Sequence, residues 1–87
     1  MSQTWKRKPP TVEVEIWDGT RGELERIAQW IQLREGLVYF DVTDRLYFAV
    51  ETISGDKEVT EGDAVVVDPD GRWFILSNTE LNKIYEL

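Results

Sequence analysis

Residues 64–76 read A-V-V-V-D-P-D-G-R-W-F-I-L, and this stretch decides the fold. The four apolar residues at 64–67 show no polar alternation, which is typical of a strand covered on both faces. Proline at the second position and glycine at the fourth position of 68–71 favour a tight turn. Residues 72–76 are therefore predicted to return beside the buried strand as an antiparallel hairpin.

One long helix is predicted upstream of this hairpin, over residues 20–33. Thr20 and Glu23 have the spacing of a capping box, in which each side chain binds a free backbone N–H of the first turn. Gly36 follows the segment as a helix stop. The apolar stripe of the helix recurs at the helical period and consists of Leu24, Ile27, Ala28 and Ile31.

The other segments read as strands. Residues 11–17 alternate, with Val12, Val14 and Ile16 on one face and Glu13 and Glu15 on the other. Further strands are predicted at 37–43, 46–53, 57–60 and 84–87. The predicted fold class is α+β: one amphipathic helix packed on a curved, mostly antiparallel sheet of five to seven strands, in the order β-α-β-β-β-β-β-β. The sequence leaves open whether this sheet closes into a partial barrel.

The 87 residues divide by charge into two segments. Residues 1–10 form a basic arm with Lys6, Arg7 and Lys8 and no acid, and this arm is predicted to be flexible. Residues 11–87 hold 7 basic and 17 acidic residues and are predicted to form a single globular domain. The net charge of −7 argues against direct nucleic-acid binding, because the body of the protein repels phosphates.

Composition also argues against several kinds of chemistry. The chain has no cysteine and no histidine, so thiolate metal sites, cysteine nucleophiles and the commonest general base are absent. Asp68 and Asp70 resemble part of a calcium loop, but the ligands that should follow them are missing. We therefore predict no catalytic residue, no cofactor, no metal and no enzymatic activity. No apolar run reaches the length of a membrane span, and no membrane partner is expected.

Aromatic residues are the best lead to a binding site. Tyr39 and Tyr47, together with Phe74, fall on strand faces opposite the predicted core positions. An open sheet leaves these rings exposed as an interface, whereas a closed barrel buries them. Trp73 is expected in the core or at its edge and is also a candidate contact residue, and Trp5 lies in the basic arm. The residues predicted to contact a protein partner are Trp5, Tyr39, Tyr47 and Trp73.

A series of short motifs runs along residues 8–86: Lys8-Pro9, Val12-Glu13, Ile16-Trp17-Asp18-Gly19-Thr20, Glu25, Ile27-Ala28, Trp30-Ile31, Thr52, Gly55, Val59, Gly62-Asp63, Val65–Val67, Gly71, Trp73-Phe74, Leu81 and Tyr85-Glu86. In their order and spacing, these motifs resemble a family of small bacteriophage accessory proteins, many of them from phages of actinobacteria. The sequence departs from the family at Glu61, where many members have proline, and at Ile75-Leu76, where many have a Pro-Cys pair. The resemblance implies expression inside a bacterial host during infection, and hence the host cytoplasm.

The leading hypothesis is a non-enzymatic phage accessory protein that binds another protein. The partner is either a second copy, which gives a homodimer, or a host factor, and an acidic rim around the aromatic residues steers basic partners to them. A second hypothesis is an acidic DNA mimic or decoy for a nucleic-acid-binding host protein. A third is a minor virion component, and the last is an enzyme with a strongly shifted carboxylate in a closed pocket.

Overall fold

The computed structural model describes residues 3–4 and 11–84 of the chain. The predicted α+β class is confirmed. The elements are β1 (Gln3–Thr4), β2 (Thr11–Ile16), α1 (Arg21–Leu33), β3 (Val38–Asp41), β4 (Tyr47–Thr52), β5 (Gly55–Glu58), β6 (Ala64–Val67), β7 (Trp73–Leu76) and α2 (Asn78–Ile84). In the N-terminal arm, β1 pairs with the start of β2, and the rest of that arm lies outside the described residues.

The strands form two antiparallel sheets rather than one curved sheet. The first sheet has the order β1-β2-β6-β7, and the second has the order β3-β4-β5. Of the two arrangements that the sequence left open, closure into a partial barrel was therefore wrong. The division follows from the turn at residues 60–63, where the Asp63 carboxylate accepts hydrogen bonds from the Thr60 backbone N–H and hydroxyl. This turn ends the pairing of β5 and carries the chain into the other sheet.

The apolar strand β6 is the centre of the first sheet, as predicted. It lies between β2 and β7 and is buried along its whole length. Val65 and Val67 project into the main core, which they share with α1 and with Phe48 and Val50 of β4. The opposite face of β6 belongs to a second apolar cluster, formed by Val12, Ala64, Val66 and Leu81. Burial on both faces explains why this strand lacks polar alternation.

Helix α1 follows the predicted apolar pattern, but only half of the predicted capping box forms, because the Thr20 backbone N–H donates to Asp18 Oδ1 and not to Glu23. The Thr20 hydroxyl accepts a hydrogen bond from the Glu23 backbone N–H, and the four residues of the apolar stripe are the buried ones. The helix stops before Gly36, but Glu35 is the residue that adopts the left-handed conformation, with φ of 64°. Gly36 is required for a different reason, which is that its neighbours leave no room for a side chain. A Cβ at this position would lie 2.6 Å from Ile31 Cγ2 and 2.7 Å from Trp73 Cζ2, which is closer than packed atoms approach.

The acidic face of strand β2, formed by Glu13 and Glu15, lies toward helix α1. Arg34 at the end of the helix donates to Glu13 at 2.8 Å, and Arg26 donates to Glu15 at 2.8 Å. Arg26 also donates to the Glu23 carboxylate, at 2.9 Å and 2.7 Å. The hydrogen bonds from Arg26 to Glu23 and Glu15 raise the pKa of Arg26 above its usual value. The two glutamates of β2 are therefore paired with the helix and belong to the scaffold.

The predicted last strand at 84–87 is tested only at residue 84, which belongs to a helix. A second helix, α2, extends through residue 84, and residues 85–87 lie outside the described part of the chain. Ser77 and Glu80 cap this helix reciprocally: Glu80 N–H donates to Ser77 Oγ at 3.1 Å, and Ser77 N–H donates to Glu80 Oε1 at 2.8 Å. Leu81 then packs into the second cluster. This burial, together with the caps, stabilises a helix that is short in isolation.

Candidate protein-binding site

Large apolar side chains are exposed mainly along one stretch of the chain. Among the described residues, seven of eight such side chains fall between positions 33 and 53, at the end of α1, along β3 and β4, and in the loops beside them. The seven are Leu33, Leu37, Tyr39, Phe40, Leu46, Tyr47 and Ile53, and the eighth is Ile16. A concentration of this kind marks a candidate interaction surface.

The strand register separates the two faces of the second sheet. Tyr39 pairs with Ala49, and Asp41 pairs with Tyr47, so these four side chains project to the same side. The side chains of Phe48 and Val50 project to the other side, into the main core. We call the first side the outer face. It consists of Tyr39, Asp41, Tyr47, Ala49, Glu51, Asp56 and Glu58.

Tyr39 and Tyr47 are the aromatic residues of the outer face, as predicted for an open sheet. Their exposed fractions are 46% and 39%. They occupy diagonal positions on neighbouring strands, a spacing of roughly 7–8 Å that aromatic side chains can bridge. Ala49 lies between them in the register and is buried although it faces outward. Phe74, which was predicted to join this patch, lies in the first sheet and packs against the second cluster.

Trp73 is a core residue, so its prediction as an exposed contact residue is corrected. Its exposed fraction is 7%, and its ring meets Trp30 edge-on with the centroids 5.6 Å apart. The physical reason lies in the register: Trp73 pairs with Val67, whose side chain projects toward α1. Trp5, the fourth predicted contact residue, lies outside the described residues.

The outer face is acidic and holds no basic side chain from its three strands. Its carboxylates are those of Asp41, Glu51, Asp56 and Glu58, whereas Lys57 pairs with Val50 and projects to the other side. The ion pairs formed within residues 11–84 use other acids, namely Glu13, Glu15, Glu23, Glu25 and Asp70. None of the four carboxylates of the outer face therefore forms an ion pair within the described part of the chain, although Arg45 lies near enough to favour the charged form of Asp41.

Asp41 is held in its ionised form beside the tyrosines. The Thr43 hydroxyl donates to Asp41 Oδ1 at 2.6 Å, and the Thr43 backbone N–H donates to the same atom at 2.9 Å. These two hydrogen bonds, with a smaller contribution from Arg45, lower the pKa of Asp41 below its ordinary value. The carboxylate therefore stays negative throughout the physiological range.

Other parts of the described chain offer less for chemistry. Two open grooves, of about 280 Å³ and about 290 Å³, meet at Glu35 and Gly71 near the end of α1. The carboxylates with a lowered pKa, Asp18, Glu23 and Asp41, accept local hydrogen bonds and lie on the surface. Residues 11–84 bring together no group of three or more side chains suited to hold a metal ion. The absence of enzymatic activity stays a prediction.

Neither helix of the described residues combines the length and the hydropathy of a membrane span. No protein-family model, curated protein or solved structure matches the chain. The candidate site therefore rests on its own geometry. Sequence reasoning identified both tyrosines but missed Phe40, which faces the core side and is still 43% exposed because β3 lies at the border of its sheet.

Proposed function

We propose that this protein acts without catalysis, by binding another protein through the outer face of the β3-β4-β5 sheet. The observation that supports this proposal is that two half-exposed, neighbouring tyrosines share one face with four carboxylates that form no ion pair within the described residues. Tyrosine combines a large apolar ring with a polar tip and loses little conformational entropy when it is fixed, which makes it a frequent anchor in interfaces.

The sheet beneath the two tyrosines is a firm support. Phe48 and Val50 of the central strand β4 are fully buried, and Phe48 meets Trp17 edge-on with the centroids 5.5 Å apart. A face supported in this way needs little rearrangement on binding, so less of the contact energy is lost to ordering.

The charge of the face indicates the kind of partner. Carboxylates that outnumber the bases around them attract a basic protein surface, speed its approach and disfavour acidic proteins. A nucleic-acid-binding host protein is one such partner, and a DNA mimic is the case in which the partner uses its DNA site. The resemblance to bacteriophage accessory proteins adds the proposed setting, which is the cytoplasm of an infected bacterium.

Capture from a bacterial lysate tests the proposal. The immobilised chain is compared with the double variant Tyr39→Ser/Tyr47→Ser and with Ile16→Ser, which changes an apolar side chain of similar exposure, 45%, on the other sheet. We expect basic proteins to be retained by the native chain and by Ile16→Ser, and to be lost from the tyrosine variant. Retention should fall steeply between low and high salt, because charge attraction is screened.

Two outcomes would contradict the proposal. The first is the same set of retained proteins on all three forms, which places any binding site elsewhere. The second is retention of acidic proteins that salt does not weaken. Where a basic partner is retained, competition with duplex DNA separates a DNA mimic, which DNA displaces, from a partner that uses another surface.

A further inference from the structure

The two sheets have four edges, and they differ in how well they are protected. Strand β1 has two residues, and β7 lies against the β4–β5 hairpin, where the Ile53 backbone N–H donates to Trp73 O at 3.4 Å. Strand β5 reads G-D-K-E and is exposed throughout. Strand β3 reads V-Y-F-D and has neither a lysine nor a proline to discourage pairing. The β3 edge is therefore the one most open to another strand.

The hydrogen-bond pattern shows which groups of β3 point outward. Glu51 N–H donates to Leu37 O at 3.0 Å, and Val59 N–H donates to Phe48 O at 2.8 Å. Antiparallel pairs alternate between bonded and non-bonded positions, so the odd-numbered residues of β3 bond to β4. The N–H and C=O groups of Val38 and Phe40 consequently face the open edge of the sheet. No strand lies beyond that edge within residues 3–4 and 11–84.

We infer that β3 accepts an extended, basic segment of a partner protein as a fourth strand of the β3-β4-β5 sheet. This inference rests on the proposed function and adds the binding mode. The main-chain groups of Val38 and Phe40 supply the hydrogen bonds, as in other cases of strand addition. The outer face then continues onto the added strand.

The alternation of β3 also sets the side-chain pattern of the partner. A residue placed beside Tyr39 projects to the outer face, where a lysine or arginine packs on the ring and reaches the Asp41 carboxylate. The residues on either side of it project to the core side, beside the half-exposed ring of Phe40. The segment that fits is therefore apolar, basic and apolar in turn.

Charge favours this occupant over a second copy of the chain. Residues 35–58 hold six acids and two bases, a net charge of −4, and the whole chain carries −7. Pairing β3 with the β3 of another copy would bring two such regions together, which like-charge repulsion opposes. An extended basic segment gains attraction at the same edge.

The test is an NMR titration of the ¹⁵N-labelled chain with a capped peptide of alternating valine and lysine, taken into the millimolar range. Two control peptides replace lysine by glutamate or group the lysines together. We expect the alternating basic peptide to shift the amide signals of residues 37–42, and to bind about tenfold more tightly than either control.

Two variants at one position test the main-chain contact. Phe40→Pro removes the outward N–H and leaves the hydrogen bonds between β3 and β4 in place. Phe40→Val keeps that N–H, and valine is close to proline in size. We expect Phe40→Pro to bind the alternating peptide about tenfold more weakly than Phe40→Val, which corresponds to one lost hydrogen bond. The dispersion of the amide spectrum checks that both variants are folded.

Several results would overturn the inference: no saturable binding, equal affinity for the three peptides, signal shifts away from β3, or equal binding by the two Phe40 variants. Self-association of the chain that strengthens with salt would overturn it as well, in favour of a second copy. The proposed function fails separately, when Tyr39→Ser/Tyr47→Ser captures the same lysate proteins as the native chain.

Discussion

Replacing Phe48 by alanine is expected to lower the free energy of unfolding by about 3–5 kcal/mol, the usual range for a buried phenylalanine. Phe48 has no exposed surface, meets Trp17 edge-on and lies in the core between α1 and the second sheet. The surrounding side chains cannot fill the cavity, because they come from elements of both sheets and the helix. A domain of this size has little stability to spare, so most of the variant should be unfolded.

Urea denaturation followed by tryptophan fluorescence measures this effect. Phe48→Leu is the matched control, since it keeps most of the apolar volume and should cost less than about 1.5 kcal/mol. A loss below about 1 kcal/mol for Phe48→Ala would contradict the placement of this ring at the centre of the core.

Trp73→Ala is expected to have an effect of similar size, about 3–5 kcal/mol of stability. The indole is almost fully buried, contacts Trp30 edge-on and closes over Gly36. Tyr39→Ala and Tyr47→Ala should each cost less than about 1 kcal/mol, because much of each ring already faces solvent. The loss of stability on replacement by alanine therefore distinguishes the two kinds of aromatic residue: Trp73 supports the fold, and the tyrosines are available for contacts.

Denaturant curves for the three variants, with capture from lysate measured in parallel, test this separation. A Trp73→Ala variant that stays as stable as the native chain and loses its partner would restore Trp73 as a contact residue. A large loss of stability in either tyrosine variant would place that ring in the core instead.

The elements fixed by local patterns could be predicted from sequence. The apolar run of β6, the Asp-Pro-Asp-Gly turn and the cap at Thr20 each depend on a few neighbouring residues, and all three are found as expected. The alternation of residues 46–51 placed Tyr47 and Phe48 on opposite faces of the strand. The outward position of Tyr47, one of the two tyrosines of the candidate site, therefore followed from the period of a strand alone.

The features that were missed depend on contacts far apart in sequence. Glu13 and Glu15 face the helix, where they accept hydrogen bonds from Arg34 and Arg26. No local sequence pattern predicts these contacts. Residues 73–76 are apolar on both sides of the strand, so alternation could not decide between the core position expected for Trp73 and its predicted contact role. The open edge of β3 follows from the division into two sheets, and that division depends on the turn at residues 60–63.

We expect the outer face of the β3-β4-β5 sheet to stay open in the isolated chain and to bind a partner of opposite charge. Light scattering behind size-exclusion chromatography, at low and at high salt, tests this expectation most directly. We expect the monomer mass of 10.2 kDa at both salts, because the apolar part of the face is small and its carboxylates repel a second copy. Twice that mass at both salts, returning to the monomer mass in Tyr39→Ser/Tyr47→Ser, would contradict the expectation.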